Sequence, residues 1–99
     1  MFDLKAHLKS LVEAHAPSGH EAPVRAIVRE SWQSLVNGFE QDGLGSLIGI
    51  KHATAPNAGQ NGTRRKIMLA AHMDEIGLMV RDIVDGFIFV HRITGVDNR

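Results

Sequence analysis

The sequence predicts an α/β domain in which two N-terminal helices pack on a mixed sheet. Apolar residues recur at helical spacing through the first third of the chain. Short apolar runs separated by glycine-containing turns fill the rest, and Asp85-Gly86 stands between two such runs as a tight hairpin signal.

Asp3 offers a cap for a first helix, with Leu4, Leu8, Leu11 and Val12 on one face and Lys5, Lys9 and Glu13 opposite. That helix must stop before Pro17, because proline disfavours helical geometry in the residue before it. Ser18-Gly19-His20-Glu21 reads as a capping box, with Ser18 at the helix entrance and Glu21 reaching back to it. Val24, Ile27, Val28, Trp32 and Leu35 form the expected buried face of the second helix, which Asn37-Gly38 ends.

Strands are expected over Phe39 to Gln41 and Leu47 to Lys51, linked by Asp42-Gly43-Leu44-Gly45. Ala53 to Thr63 gathers Pro56, Gly59 and Gly62 among alanines and asparagines, and reads as an exposed, mobile loop. Ile67-Met68-Leu69-Ala70-Ala71 is apolar throughout, the pattern of a strand covered on both faces. Gly77 to Val84 and Phe87 to Ile93 make the last pair, and Met68, Met73 and Met79 read as core fillers.

Composition bounds the function. The chain has 99 residues, 43% hydrophobic and 22% charged, so it is one small domain of globular composition. Its formal net charge is +0, which gives no bulk attraction to nucleic acid or to an anionic membrane. The basic run Arg64-Arg65-Lys66 reads as a solvated strand entrance. With no cysteine there is no disulfide, thiolate metal site or cysteine nucleophile, which fits a cytoplasmic setting. No secretory signal is visible after Met1, and no apolar run approaches the roughly 20 residues needed to span a bilayer.

The candidate chemistry lies in Ala70-Ala71-His72-Met73-Asp74-Glu75-Ile76-Gly77. A histidine and a carboxylate two residues apart, at the end of an apolar run, project to the same side of extended chain. Ligands of open α/β sheets gather at such strand ends. Imidazole is a common metal ligand, and it needs its second nitrogen held by a carboxylate or carbonyl. His72 is therefore the candidate ligand and Asp74 its candidate helper. On spacing alone the pair reads more often as a hydrogen-bonded turn than as a ligand pair. His7, His15, His20, His52 and His91 have no such context and read as surface residues.

Ala71-His72-Met73-Asp74-Glu75-Ile76-Gly77-Leu78-Met79-Val80 resembles the signature of the glutamyl and deblocking aminopeptidases, the tetrahedral enzymes of metallopeptidase family 42, some of which carry an endoglucanase label. Ala16-Pro17-Ser18-Gly19-His20-Glu21 resembles the stretch between that family's first two helices. Asp42-Gly43-Leu44-Gly45-Ser46-Leu47-Ile48 is similar to another of its segments, with Ser46 where asparagine is usual. Thr94-Gly95-Val96-Asp97-Asn98-Arg99 resembles a family turn, with Asn98 in place of proline. These motifs run in family order along nearly the whole chain.

The resemblance implies the front portion of a zinc-exopeptidase-like catalytic domain over residues 1–99. It implies a metal-dependent aminopeptidase acting on peptide substrates, with two divalent ions, zinc or cobalt. His72 would then be a metal ligand and Asp74 a catalytic residue supporting it, with no role assigned to Glu75. Family members are longer. Their general base, their remaining ligands and the inserted domain through which they form homo-oligomers have no counterpart here. A catalytic zinc takes about three protein ligands, so the chain reads as an inactive segment of the enzyme. Two alternatives remain at this point: another histidine-x-aspartate metallohydrolase, such as a carboxypeptidase or deacylase, and a non-catalytic interaction domain.

Overall fold

Asp3 starts the first helix as expected: its Oδ1 accepts from the Ala6 N–H at 3.0 Å, and its carbonyl accepts from the His7 N–H at 3.0 Å. The structure is a computed structural model and describes residues 1–54 and 66–93. Its elements are α1 (Leu4–Glu13), α2 (Ala22–Trp32), β1 (Gly38–Gln41), β2 (Leu47–Ile50), β3 (Leu78–Val84) and β4 (Phe87–Arg92). The α/β reading holds. Where the sequence pointed to one mixed sheet, the described strands form two antiparallel hairpins, β1–β2 and β3–β4, with a single parallel bridge from Pro17 to Glu75. The chain divides into two units, Met1–Ile27 with Met73–Arg99, and Val28–His72.

In the first unit α1 ends at Glu13, and Ala14 turns extended at φ −71°, ψ 127°. The chain then delivers Ala16 to the best-buried position among the described residues, 1% exposed. α2 begins three residues later than the sequence suggested. The Arg25 N–H donates to the Glu21 carbonyl at 2.9 Å, so Glu21 occupies the entrance. The expected capping box does not form, because the Glu21 Oε1 accepts from the Gly19 N–H at 2.7 Å. Gly19, at φ +86°, makes the tight turn that this bond closes. Val24 is the buried residue of α2.

β3 and β4 meet through Asp85 and Gly86, both left-handed at φ 50° and 82°, as a two-residue hairpin turn requires. The ladder pairs Val80 with Val90 and Asp82 with Phe89, which leaves Arg81 as an extra residue in a bulge. The bulge moves Asp82 off the face that Leu78 and Val80 share. That face becomes Leu78, Val80, Ile83, Ile88 and Val90, closed by Arg92. Met79, Asp82, Val84, Phe87, Phe89 and His91 take the other face.

In the second unit Asp42 builds the β1–β2 turn. Its Oδ1 accepts from the N–H groups of Leu44 at 3.0 Å and Ser46 at 2.8 Å, while its carbonyl accepts from the Gly45 N–H at 3.1 Å. Ser46, the departure from the family's asparagine, takes part in this turn. The serine hydroxyl bond and these amides hold the Asp42 carboxyl below its ordinary range. Gly49 admits the Trp32 ring: a Cβ there would stand 3.0 Å from Trp32 Cε3 and 3.1 Å from Val36 Cγ1. The Arg29 guanidinium lies 4.6 Å from the centre of the Phe39 ring.

Several expectations fail, for one reason. Residues 67–71 form no strand, and Ile67, Met68 and Leu69 are exposed at 88%, 88% and 93%. A run that is apolar at every position becomes a strand only when a ladder partner and covering layers satisfy both its backbone and its faces. No described residue pairs with this one in a ladder. Likewise Leu4, Leu8 and Val12 on α1, Trp32 and Leu35 in and after α2, and Met79 on β3 are exposed and not core. Ala53 and Thr54 are exposed, and the rest of the Ala53 to Thr63 loop lies outside the described residues, as does Thr94 to Arg99.

Candidate functional site

His72 is exposed, in the stretch without strand pairing that runs from Lys66 towards β3. Asp74 is half-buried, one residue before the bridge at Glu75. The division between the two units falls between His72 and Met73, which places the two candidate residues in different units. His91 is exposed on β4, and the His52 N–H donates to the Asn37 Oδ1 at 2.7 Å. Among the described residues no group of three or more His, Cys, Asp or Glu side chains comes together as a metal cage. An exposed neutral imidazole suits one coordination bond, and a closed coordination sphere needs further donors.

What the structure builds around Asp74 is a clamp. The Ala16 N–H donates to the Glu75 Oε1 at 2.9 Å, and the Glu75 N–H donates to the Ala16 carbonyl at 3.0 Å. Pro17 bridges to Glu75 in parallel, and Pro17 Cβ lies 2.9 Å from where a Cβ on Gly77 would stand. Beyond it the Ile93 N–H donates to the Gly77 carbonyl at 3.0 Å. His15 Nδ1 stands 3.8 Å from the Glu75 Oε1, but His15 is 98% exposed, so solvent screens this pair even when the imidazole is charged.

Glu21 lies near enough to feel Asp74. The Gly19 N–H bond, its own backbone N–H and Arg25 lower its carboxyl from the ordinary range, while burial and the Asp74 charge oppose them. The turn at 16–21 and the signature at 71–80, two stretches that carry the family resemblance, therefore meet in space within one unit. Sequence reasoning missed this meeting. Ala16 and Glu75 are 59 residues apart, and neither belongs to a periodic pattern that would pair them.

The profile of the M42 glutamyl aminopeptidases matches residues 52–99, which contain His72, Asp74 and Glu75. The chain resembles the N-terminal part of an M42 aminopeptidase. A protein of Acetivibrio thermocellus that carries a provisional aminopeptidase name is 39% identical over 97% of this chain and 26% of its own length. The glutamyl aminopeptidase of Lactococcus lactis is 41% identical over 77% of this chain and 20% of its own. The lysyl aminopeptidase of Pyrococcus furiosus is 35% identical over 90% of this chain and 24% of its own. The chain thus spans between 20% and 26% of the length of these relatives. Among the described residues no helix is long and apolar enough to cross a membrane.

Proposed function

We propose that this chain is the front part of the catalytic domain of a cytoplasmic, metal-dependent M42 aminopeptidase, with His72 as a metal ligand and Asp74 as the carboxylate supporting it. The observation that carries this reading is the family match across 52–99, which contains the histidine-x-aspartate signature. The two named relatives differ in the residue their names specify, glutamyl and lysyl. The substrate class proposed here is accordingly peptides with a free amino terminus, without a preferred first residue.

Zinc or cobalt, two ions in the intact site, would supply Lewis acidity for hydrolysis of the first peptide bond. His72 offers a neutral nitrogen lone pair, and a carboxylate helper raises that nitrogen's basicity. Asp74 contributes negative charge where a cation is to be held. The proton transfers need a general base, which on the family resemblance lies in the part of the relatives that this chain does not span, so the 99-residue chain alone is inactive on this reading. The intact enzyme, a homo-oligomer in this proposal, completes the site with segments beyond this chain's matched share.

A chimera tests this. This chain replaces the matching front segment of the Lactococcus lactis enzyme, and the product is assayed on chromogenic amino-acid amides with zinc or cobalt. The chimera hydrolyses them, while His72→Ala loses metal and Asp74→Asn keeps metal but slows by roughly 10–100-fold, as loss of a ligand's carboxylate partner does. A folded chimera whose turnover is indifferent to His72→Ala would overturn the assignment. Equal metal loss in both variants would make Asp74 a ligand.

A further inference from the structure

We propose that Glu75 is a positioning residue for the metal site: it fastens the signature to the buried turn at Ala16 and so fixes where Asp74 sits. This rests on the assignment of His72 and Asp74 above. Glu75 is the residue next to Asp74, and it is held at both ends. Its backbone N–H and its side-chain Oε1 grip the two backbone polar groups of one residue, Ala16, at 3.0 and 2.9 Å. Ala16 is 1% exposed, so it is a firm anchor.

The alternative roles fit the geometry less well. As a ligand or general base Glu75 would need its oxygens directed at a metal or a water. Instead Oε1 is engaged by the Ala16 N–H, and the Glu75 side chain is only 36% exposed. As a charge partner it would need a close cation, and the imidazole beside it, His15, is 3.8 Å away and 98% exposed. A carboxylate that accepts a backbone N–H in a half-buried place is suited to holding chain. If it lets go, the Ala16 N–H loses its partner inside the best-buried spot described, and the backbone that carries Asp74 loses its side-chain tether.

The role separates by chemistry. Glutamine keeps an acceptor oxygen at the same reach without the charge. Aspartate keeps the charge but is one methylene too short. Alanine removes both.

The experiment uses the 99-residue chain labelled for NMR, as parent, Glu75→Gln, Glu75→Asp, Glu75→Ala and His72→Ala. Amide exchange is read at Ala16, zinc is titrated with detection at the Asp74 amide and the His72 ring, and cross-strand contacts between Val80 and Val90 report that β3–β4 is intact. Ala16 exchange is slowed in the parent and Glu75→Gln, and at least about 10-fold faster in Glu75→Ala and Glu75→Asp. Half-saturation by zinc stays within about 2-fold for Glu75→Gln and rises about 10-fold for the aspartate and alanine variants, the low end of what a supporting residue contributes to metal affinity. Should Glu75→Ala fail to fold, Glu75→Asp carries the same test.

Loss of zinc in Glu75→Gln with Ala16 still protected would overturn the proposal and make Glu75 a charge or ligand contributor. Zinc binding equal to the parent in Glu75→Ala, but lost in His72→Ala, would overturn it while leaving the metal assignment standing. Zinc binding indifferent to His72→Ala would overturn the assignment itself, and this proposal with it.

Discussion

Gly77 lies against Pro17 so closely that a Cβ at residue 77 would stand 2.9 Å from the Pro17 Cβ, a separation that packed atoms do not tolerate. The proline ring is stiff and its backbone is bridged to Glu75, so it cannot swing aside. Gly77→Ala is expected to cost about 1–3 kcal/mol, the range for forcing an extra group into packed space. Thermal unfolding by circular dichroism checks this, with Gly38→Ala as the control because nothing lies within 4 Å of a Cβ there. Equal melting temperatures for the two variants would contradict the close approach.

Asp85 and Gly86 both hold positive φ, 50° and 82°, in the turn that joins β3 to β4. Gly86→Val places a branched side chain in left-handed backbone and should cost about 1–2 kcal/mol. Asp85→Asn keeps a residue that tolerates this region, so it should change little. Cross-strand contacts between Ile83 and Ile88 give the reading: they weaken in the valine variant and persist in the asparagine variant.

Acid should loosen the β1–β2 turn. The Asp42 carboxyl is held below its ordinary value, first by the Ser46 hydroxyl bond and then by backbone amides. A depressed folded pKa means that the carboxylate stabilises the turn fully above the ordinary value, roughly pH 4. The contribution is lost as pH falls through the folded pKa. The Leu44 and Ser46 amide resonances should therefore hold constant above about pH 5 and move below about pH 4. In Asp42→Asn that movement should be absent.

Exposed apolar chain should make the protein sticky. Ile67, Met68 and Leu69 face solvent, and both faces of β3–β4 carry exposed large side chains such as Phe87 and Ile88. Such surfaces drive association. Leu69→Lys is expected to raise solubility and lower binding of an apolar dye while leaving the β1–β2 contacts unchanged. Sedimentation at several concentrations is the check, and unchanged association would place the contact on another surface.

Local chemistry was legible in the sequence and long-range support was not. Asp3 at a helix start, Asp42 at a turn and Asp85-Gly86 at a hairpin act within four residues of themselves, so their neighbours in sequence are their partners in space. The Glu21 box failed because the Glu21 Oε1 is taken by the N–H of Gly19, whose backbone is left-handed. The run at 67–71 failed because burial is a property of what covers a segment, and its own residues cannot state that. In the candidate site, His72 and Asp74 are proposed from residue type, spacing and the family match over 52–99. The anchoring of Glu75 to Ala16 was not legible, since only folding brings residues 59 apart into register.

The bulge at Arg81 works like an inserted letter in a two-letter reading frame. Read straight from the sequence, Leu78, Val80, Asp82 and Val84 share a side, and an acid interrupts an otherwise aliphatic row. The insertion shifts the frame, so that Ile83 follows Val80 and the acid changes sides. Deleting Arg81 would therefore leave every remaining pair of the ladder on its present side. Deleting Asp82 would do the same, with Arg81 taking its place opposite Phe89, whereas deleting Ile83 would not. A one-residue deletion, ordinarily among the harshest edits to a strand, should here be accepted at the bulge, at the strand's one arginine or its one aspartate.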